Sequence, residues 1–293
     1  MLSKPGGFKI TIRKALKHDL GEILRIHEES PRELGKEDPK WFKALLESNS
    51  KRILFLIALI GDKALGYSLA YRSRGRGYIE NIAIDESHRG RGIGSMLLEE
   101  TEKILLNRGV REIYLCVKDW NKSALNFYLK HNYKIKGTIL WFTAPPERVK
   151  TNDPEIDYTV IDVNAGLLKP RLKYYASYWS NFVDDVDRYI YKKKLYRAER
   201  AILVRRGKRA IACAIYSDGD ELIVDSISLS SYNAIEALEA LLNSLKNIAI
   251  ARDSKIIEIP VDSSKQKLIE LLVESGFKMN ESEFLLHKEL IED

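Results

Sequence analysis

The sequence predicts an α+β fold (an α/β sandwich) used twice in tandem, each copy a mixed, mostly antiparallel sheet flanked by helices. Three observations predict it. Apolar residues recur with period two in some stretches and near 3.6 in others, and the two kinds of stretch alternate along the chain. A strand-like run ends in a glycine-rich turn that opens a helix, at Arg89-Gly90-Arg91-Gly92-Ile93-Gly94. Short signatures of the first half return about half a chain later. With 293 residues, the chain is long enough for two domains, each with its own core.

The first half reads in order as follows. Residues 8–13 form a strand. Residues 19–28 form a helix, since Leu20, Ile23, Leu24 and His27 share one face. A short helix over 40–46 follows Pro39. Residues 53–60, 64–72 and 78–84 are three apolar runs. Gly61-Asp62-Lys63 separates the first two, and an Arg/Gly-rich turn the last two; both are hairpin signals, so the runs make an antiparallel meander. Over 92–107 the period becomes helical, with Ile93, Met96, Leu97, Glu100 and Ile104 in step, and Gly109 ends that helix. Residues 113–117 are a strand, 121–132 a helix, and Tyr133 starts another strand.

Pro145-Pro146 and Asn152-Asp153-Pro154 mark a boundary, which gives a first domain over 1–146 and a second over 155–293. The second half repeats the order. Residues 201–205 and 210–217 form a hairpin around Arg206-Gly207-Lys208. Then come a strand at 222–229, a helix at 234–250, a strand at 256–261, a helix at 265–275 and a strand from Phe277. Gly276-Phe277-Lys278 echoes Asn132-Tyr133-Lys134, and Ile227-Ser228-Leu229-Ser230 echoes Ile82-Ala83-Ile84-Asp85. The Tyr- and Lys-rich stretch 169–196 would supply the second copy's early helices. Tyr174, Tyr175, Tyr178 and Trp179 would lie on a helix packing face or a contact surface.

Bulk properties exclude several classes. The net charge of +6 suits an anionic ligand but is too small and too spread to argue for nucleic acid. Cys116 and Cys213 both sit in apolar runs, so neither a disulfide framework nor a metal site is indicated. His18, His27, His131 and His287 lack metal-ligand spacing, and His88 faces solvent on this reading. The longest apolar run falls far short of the roughly 20 residues that span a bilayer, and no signal peptide is expected. The reading is a cytoplasmic protein. A single glutamine among many charged residues leans towards a thermophile.

The chemistry concentrates at the glycine turn. Amides at a helix N-terminus are unpaired and partly positive, so such a turn suits a pyrophosphate. Arg89 and Arg91 add charge where phosphate oxygens would sit. A dinucleotide fingerprint needs G-x-G-x-x-G in a parallel unit, whereas the glycines here are 90, 92 and 94 after a hairpin; a phosphate loop ending in G-K-[ST] is absent. Asn121, Ala124, Leu125 and Tyr128 share a helical face. From the residues alone, Tyr128 is a half-buried aromatic. Glu80 is a carboxylate within an apolar strand, on the face of Tyr78, Ile82 and Ile84 by strict alternation. It is either a functional base or a cross-strand ion pair.

Together these pieces resemble the GNAT superfamily of N-acetyltransferases. The family hallmark Q/R-x-x-G-x-G/A is matched by Arg89, Gly92 and Gly94. Tyr78-Ile79-Glu80-Asn81-Ile82-Ala83-Ile84 precedes it, and Asn121-Lys122-Ser123-Ala124-Leu125-Asn126-Phe127-Tyr128 follows. The resemblance implies a splayed sheet and acetyl-CoA as cosubstrate, with no metal. Pantetheine would pair with the exposed backbone of Ile82, Ala83 and Ile84. The pyrophosphate would rest on Arg89, Gly90, Arg91, Gly92, Ile93, Gly94 and Ser95, with Asn121 completing the site. Tyr128 would stand near the sulfur as acid. Glu80 would be the base, and the backbone near Ile82 to Ile84 would stabilise an oxyanion.

In the second half the turn reads Ala234-Ile235-Glu236-Ala237-Leu238-Glu239, and the counterpart of Tyr128 falls in Leu271-Leu272-Val273. The glycines are gone and two carboxylates stand where phosphates would bind, so this copy is degenerate. The function expected is acetyl transfer from acetyl-CoA to an amine; the rival is a non-catalytic acyl-CoA-binding sensor or partner-binding module. The acceptor is not readable. The basic turn Arg72-Ser73-Arg74-Gly75-Arg76-Gly77, read as lying beside the site, is either a solvated hairpin or a grip for an acidic substrate or nucleic acid, and it favours an acidic or peptidic acceptor over a polycation. A tandem pair can replace the dimer of single-domain relatives, so a monomer or weak dimer is expected.

Overall fold

The computed structural model describes residues 10–35, 37–48, 50–151, 158–165, 172–177, 200–217, 219–231 and 235–290. Its packing divides the chain into two units. The first comprises Met1–Cys116, Ser123–Lys134 and Leu286–Asp293; the second comprises Val117–Lys122 and Ile135–Leu285. The proposed boundary between the two sequence copies lies after residue 146. Packing nonetheless groups residues 135–144 with the second unit, and the chain's last residues with the first.

In the first unit, β1 (Ile10–Lys14), β2 (Ile53–Ile60), β3 (Lys63–Ser73) and β4 (Arg76–Ile84) form an antiparallel meander. β5 (Glu112–Lys118) joins β4 in parallel. Between β1 and β2 lie α1 (Leu20–Glu28), α2 (Pro31–Leu34) and α3 (Pro39–Glu47). Asp38 caps α3 by accepting the Lys40 amide at 2.8 Å, and Pro39 stands where no amide is needed. α4 (Ile93–Asn107) follows β4, and α5 (Lys122–Lys130) follows β5.

Side-chain alternation sorts the helices between the two faces. Ser68 bonds Thr101 of α4 at 2.8 Å, so the even-numbered β3 residues from Gly66 onward face α4. Tyr67 points the other way and packs with Phe42 of α3 and Phe55, all fully buried. At Gly66 a Cβ would lie 2.6 Å from the Ala83 carbonyl oxygen, so glycine alone lets β3 approach the end of β4 this closely.

The second unit contains β6 (Lys134–Ala144, all but its first residue), β7 (Thr159–Asn164), β8 (Tyr174–Tyr175), β9 (Arg200–Arg206), β10 (Arg209–Ser217), β11 (Glu221–Leu229) and β12 (Ile256–Asp262). It also holds α6 (Ile235–Ala251), α7 (Gln266–Glu274) and most of β13 (Lys278–Glu289). The strand order is β13-β6-β12-β11-β10-β9-β7. Ile202, Val204, Ala214, Leu222, Val224, Ile257 and Ile259 from the sheet form a core with Leu238, Leu241 and Leu245 of α6 and Leu272 of α7.

The duplication is visible in the backbone. Asn132 and Gly276 both take positive φ, 66° and 92°, just past α5 and α7. The next amide in each copy bonds the carbonyl five residues back, Tyr133 to Tyr128 and Phe277 to Leu272. Gly109 and Asp253 end α4 and α6 in the same left-handed way, and Gly61 and Gly207 turn matching hairpins.

The copies differ at their parallel strand pairs. β11 and β12 pair only over Glu221 to Ile223 with Ile256 to Glu258. Beyond that, the chain fills its own gap: β8 pairs with Ser228 and Leu229, the Ala176 amide donates to the Ile227 carbonyl at 2.9 Å, and the Asp262 amide donates to the Ala176 carbonyl at 2.9 Å. This corrects the expectation of helix for Tyr174 and Tyr175, which are extended because they complete a sheet rather than pack a helix. Tyr178 and Trp179, with 178–199, lie outside the described residues. Among the described residues no helix is long and apolar enough to cross a membrane.

Candidate active site

β4 and β5 run paired from Arg76 with Glu112 to Ile79 with Leu115, and no further. Among the described residues, β4 pairs from Asn81 to Ile84 on its β3 side alone. The gap between the two strands therefore opens beside Ile82, Ala83 and Ile84, whose outward backbone groups face it. In the second unit the corresponding gap is the one closed by Ala176.

The β3–β4 register passes from Ala70 opposite Ile79 to Leu69 opposite Asn81, so Glu80 is an extra residue. This bulge interrupts the alternation expected from sequence, which put Glu80 on one face with Tyr78, Ile82 and Ile84. Beyond the bulge, Ile82 and Ile84 lie opposite Ser68 and Gly66 and so face α4; Tyr78 lies opposite Tyr71 and faces the other way. The Glu80 charge is felt at Tyr67. Burial pushes the Tyr67 phenol well up, and Glu37 and Glu80 add to the shift. Tyr67 donates to His27 Nδ1 at 2.6 Å, and His27 Nε2–H donates to the Gly35 carbonyl at 3.2 Å. Burial holds His27 below its ordinary pKa, which keeps the ring neutral for this arrangement.

At the end of β4, Asp85 anchors the turn. Its carboxylate receives Arg25 at 2.9 Å, His88 Nδ1–H at 2.7 Å and the Ser87 amide at 3.1 Å. Burial alone would raise this carboxyl, but the hydrogen bonds from Ser87, His88 and Arg25 outweigh it and hold Asp85 well below the carboxylate range. His88, read from sequence as facing solvent, is instead folded back on Asp85 with a side chain 16% exposed. Sequence reasoning missed Asp85; the signal available was an Asp two residues before a Ser, where its side chain can cap the amide.

Gly90 and Gly92 take φ of 74° and 81°, and Gly92 is the N-cap of α4. The first amide to bond back at this end is that of Met96, to the Gly92 carbonyl. Among the described residues no acceptor takes the amides from Gly90 to Ser95. They are bare donors at the N-terminus of a 15-residue helix. Ile93 is buried, so it serves here through its backbone. A Cβ at Gly94 would touch the Phe127 ring at 3.6 Å, so the start of α4 lies close against α5.

The arginines divide. Arg91 is exposed. The Arg89 guanidinium, expected where phosphate oxygens would sit, instead donates to the Ile84 carbonyl at 3.1 Å and to Ser30 Oγ at 2.9 Å. It finds backbone and loop acceptors within reach and ties the turn to the segment after α1. The Glu29 carboxylate also accepts the Glu86 amide at 2.7 Å, which makes a second tie. The basic turn is not beside these residues. It joins β3 to the start of β4, at the opposite end of the strand from Ile84, and Arg72 there donates to the Arg108 carbonyl.

Tyr128 sits on α5 and is 8% exposed, edge-on to Phe127 and Tyr133 with ring centroids 5.0 and 5.5 Å away. Among the described residues its hydroxyl has no hydrogen-bond partner, and burial pushes its pKa far up. Asn121 precedes α5 and groups with the second unit. Among the described residues no group of three or more His, Cys, Asp or Glu is placed to hold a metal.

Asp85 gives a pH prediction. Its folded pKa lies below the unfolded value of about 3.9, so the stability it contributes is present above that value and lost as pH falls below it. In urea melts, wild type should exceed Asp85→Asn by most near pH 6, with the difference shrinking towards pH 3. A difference that stayed constant over that range would refute this account.

The sequence pattern of the Acetyltransferase (GNAT) family matches residues 19–133. The chain is 31% identical over 137 residues to the thialysine N-epsilon-acetyltransferase of Sus scrofa, covering 41% of this chain and 81% of that protein. It is 37% identical over 73 residues to the Bos taurus protein of the same name, 23% of this chain and 43% of the relative. It thus spans less than half of that relative's length. A solved tandem GNAT protein from the clavulanic acid biosynthesis pathway matches the fold with a TM-score of 0.71 at 11% identity, over 97% of this chain and all of the other.

Proposed function

The chain belongs to the GNAT family of acetyltransferases, and from that premise we propose that its first unit binds acetyl-CoA and transfers the acetyl group to an amine by direct attack. One observation carries the reading: the gap that opens after Ile79 and Leu115 ends at a turn whose amides, from Gly90 to Ser95, are unbonded. A strand edge next to a nest of donors fits an amide-bearing arm that ends in a pyrophosphate.

Acetyl-CoA supplies an activated thioester. The residues of this chain do the rest. The outward backbone groups of Ile82 and Ile84, on either side of Ala83, orient the arm, and their amides face charge developing on the thioester oxygen. Gly90, Arg91, Gly92, Ile93, Gly94 and Ser95 hold the pyrophosphate through main-chain N–H groups. Arg89 fixes the turn by holding the Ile84 carbonyl and Ser30. Glu80, set out of alternation by its bulge, takes a proton from the attacking amine, directly or through water. Tyr128 keeps a proton for the departing sulfur.

For the acceptor we propose a primary amine on a lysine-like side chain, since the Sus scrofa relative's name specifies such a group. The second unit keeps the fold without the chemistry, its slot closed by Ala176. The test is release of free thiol from acetyl-CoA with thialysine, lysine and peptide N-termini as acceptors, alongside calorimetric binding. Binding with turnover on any amine supports the reading. Binding without thiol release would leave a sensor, and no binding would reject the cofactor site.

A further inference from the structure

We propose that Lys288, near the end of the chain, is a positioning residue for Tyr128; the inference rests on the reading of Tyr128 as the acid. The first unit includes residues from Leu286 onward, although they follow the whole second copy in sequence. They are pinned in place. The Leu290 amide donates to the Arg111 carbonyl at 2.8 Å, and the His287 and Tyr114 rings lie 4.7 Å apart.

Between these contacts, Lys288 Nζ donates to Glu102 Oε2 of α4 at 2.6 Å. The other oxygen of that carboxylate accepts the Tyr133 hydroxyl at 2.9 Å. Lys288 Nζ also stands 5.5 Å from the centre of the Tyr133 ring. Tyr133 is 1% exposed and presses edge-on against Tyr128. One cation thus fixes a carboxylate and, through it, the ring that backs Tyr128. The side chains of Lys288 and Glu102 are 20% and 13% exposed, so removing either charge leaves the other poorly solvated. The carboxylate then turns, and the Tyr133 ring follows it. A displacement near 1 Å at a reacting group costs on the order of 100-fold in rate.

The test is kinetic and uses the full chain. Lys288→Met should lower kcat roughly 10- to 100-fold with the KM for acetyl-CoA unchanged, and Lys288→Arg should restore most of it. In a Tyr128→Phe background, Lys288→Met should cost little more, because the two residues act as one unit. An equal loss in both backgrounds would mean a general structural role and overturn the proposal, as would near-normal kcat in Lys288→Met. Should that variant fail to fold, Glu102→Gln, which keeps an acceptor for Tyr133, replaces it with the same expectations. A Tyr128→Phe variant that retains full activity overturns the acid reading and this inference together.

Discussion

Replacing Tyr128 by phenylalanine will slow acetyl transfer by roughly 100- to 10,000-fold and leave acetyl-CoA binding unchanged. The ring is buried between Phe127 and Tyr133, and phenylalanine fills the same volume, so packing survives and the hydroxyl alone is lost. Burial pushes the phenol far above its ordinary value of about 10. The proton is therefore present at every working pH. Handing it completely to a thiolate, whose acid has a pKa near 8.5, is uphill. The group accordingly works first by donating a hydrogen bond to negative charge as it grows on sulfur. Two measurements check this: kcat with any accepted amine, and calorimetry with acetyl-CoA. The wild-type profile should also show no loss of rate from Tyr128 below about pH 10. A variant that keeps most of the wild-type kcat would remove Tyr128 from the chemistry.

The second large effect belongs to Gly92. Its φ of 81° is left-handed, a conformation that costs a side-chain-bearing residue about 1–2 kcal/mol. It also caps α4 amid the unbonded amides. Gly92→Glu should weaken acetyl-CoA binding at least about 100-fold, near 2.8 kcal/mol, because it adds strain and puts a carboxylate where phosphate must sit. Gly92→Ala should lose less, since it adds strain alone. Arg89 is the poorer probe of phosphate binding, because its guanidinium already holds Ile84 and Ser30. Calorimetry on both Gly92 variants separates strain from charge; equal losses would mean that charge at the turn is irrelevant.

What could be read from sequence was local. Strand and helix periods located nearly every element, Gly109 ended its helix, and the echo of Asn132-Tyr133 in Gly276-Phe277 anticipated a shared cap geometry. The glycine turn was legible because positive φ narrows the choice of residue. What escaped depended on distant neighbours. Nothing about Glu80 announces that its strand carries one residue more than β3 can pair. Tyr174 and Tyr175 look like a packing face, and only the gap between β11 and β12 makes them a strand. Arg89 matched a motif, yet its side chain went to Ser30, an acceptor set by how α1 docks.

The assignment of Leu286 and its successors to the first unit also bears on biosynthesis. Residues up to 134 leave the ribosome early, but the strand that finishes their sheet emerges only after 135–285 have been made. At about 5–20 residues per second, the nascent first unit waits roughly 8 to 30 seconds with Glu102 lacking its lysine and Tyr133 lacking its brace. The half translated first thus waits on residues made after the other half, and a chain cut before Leu286 would lose part of the unit nearer the N-terminus.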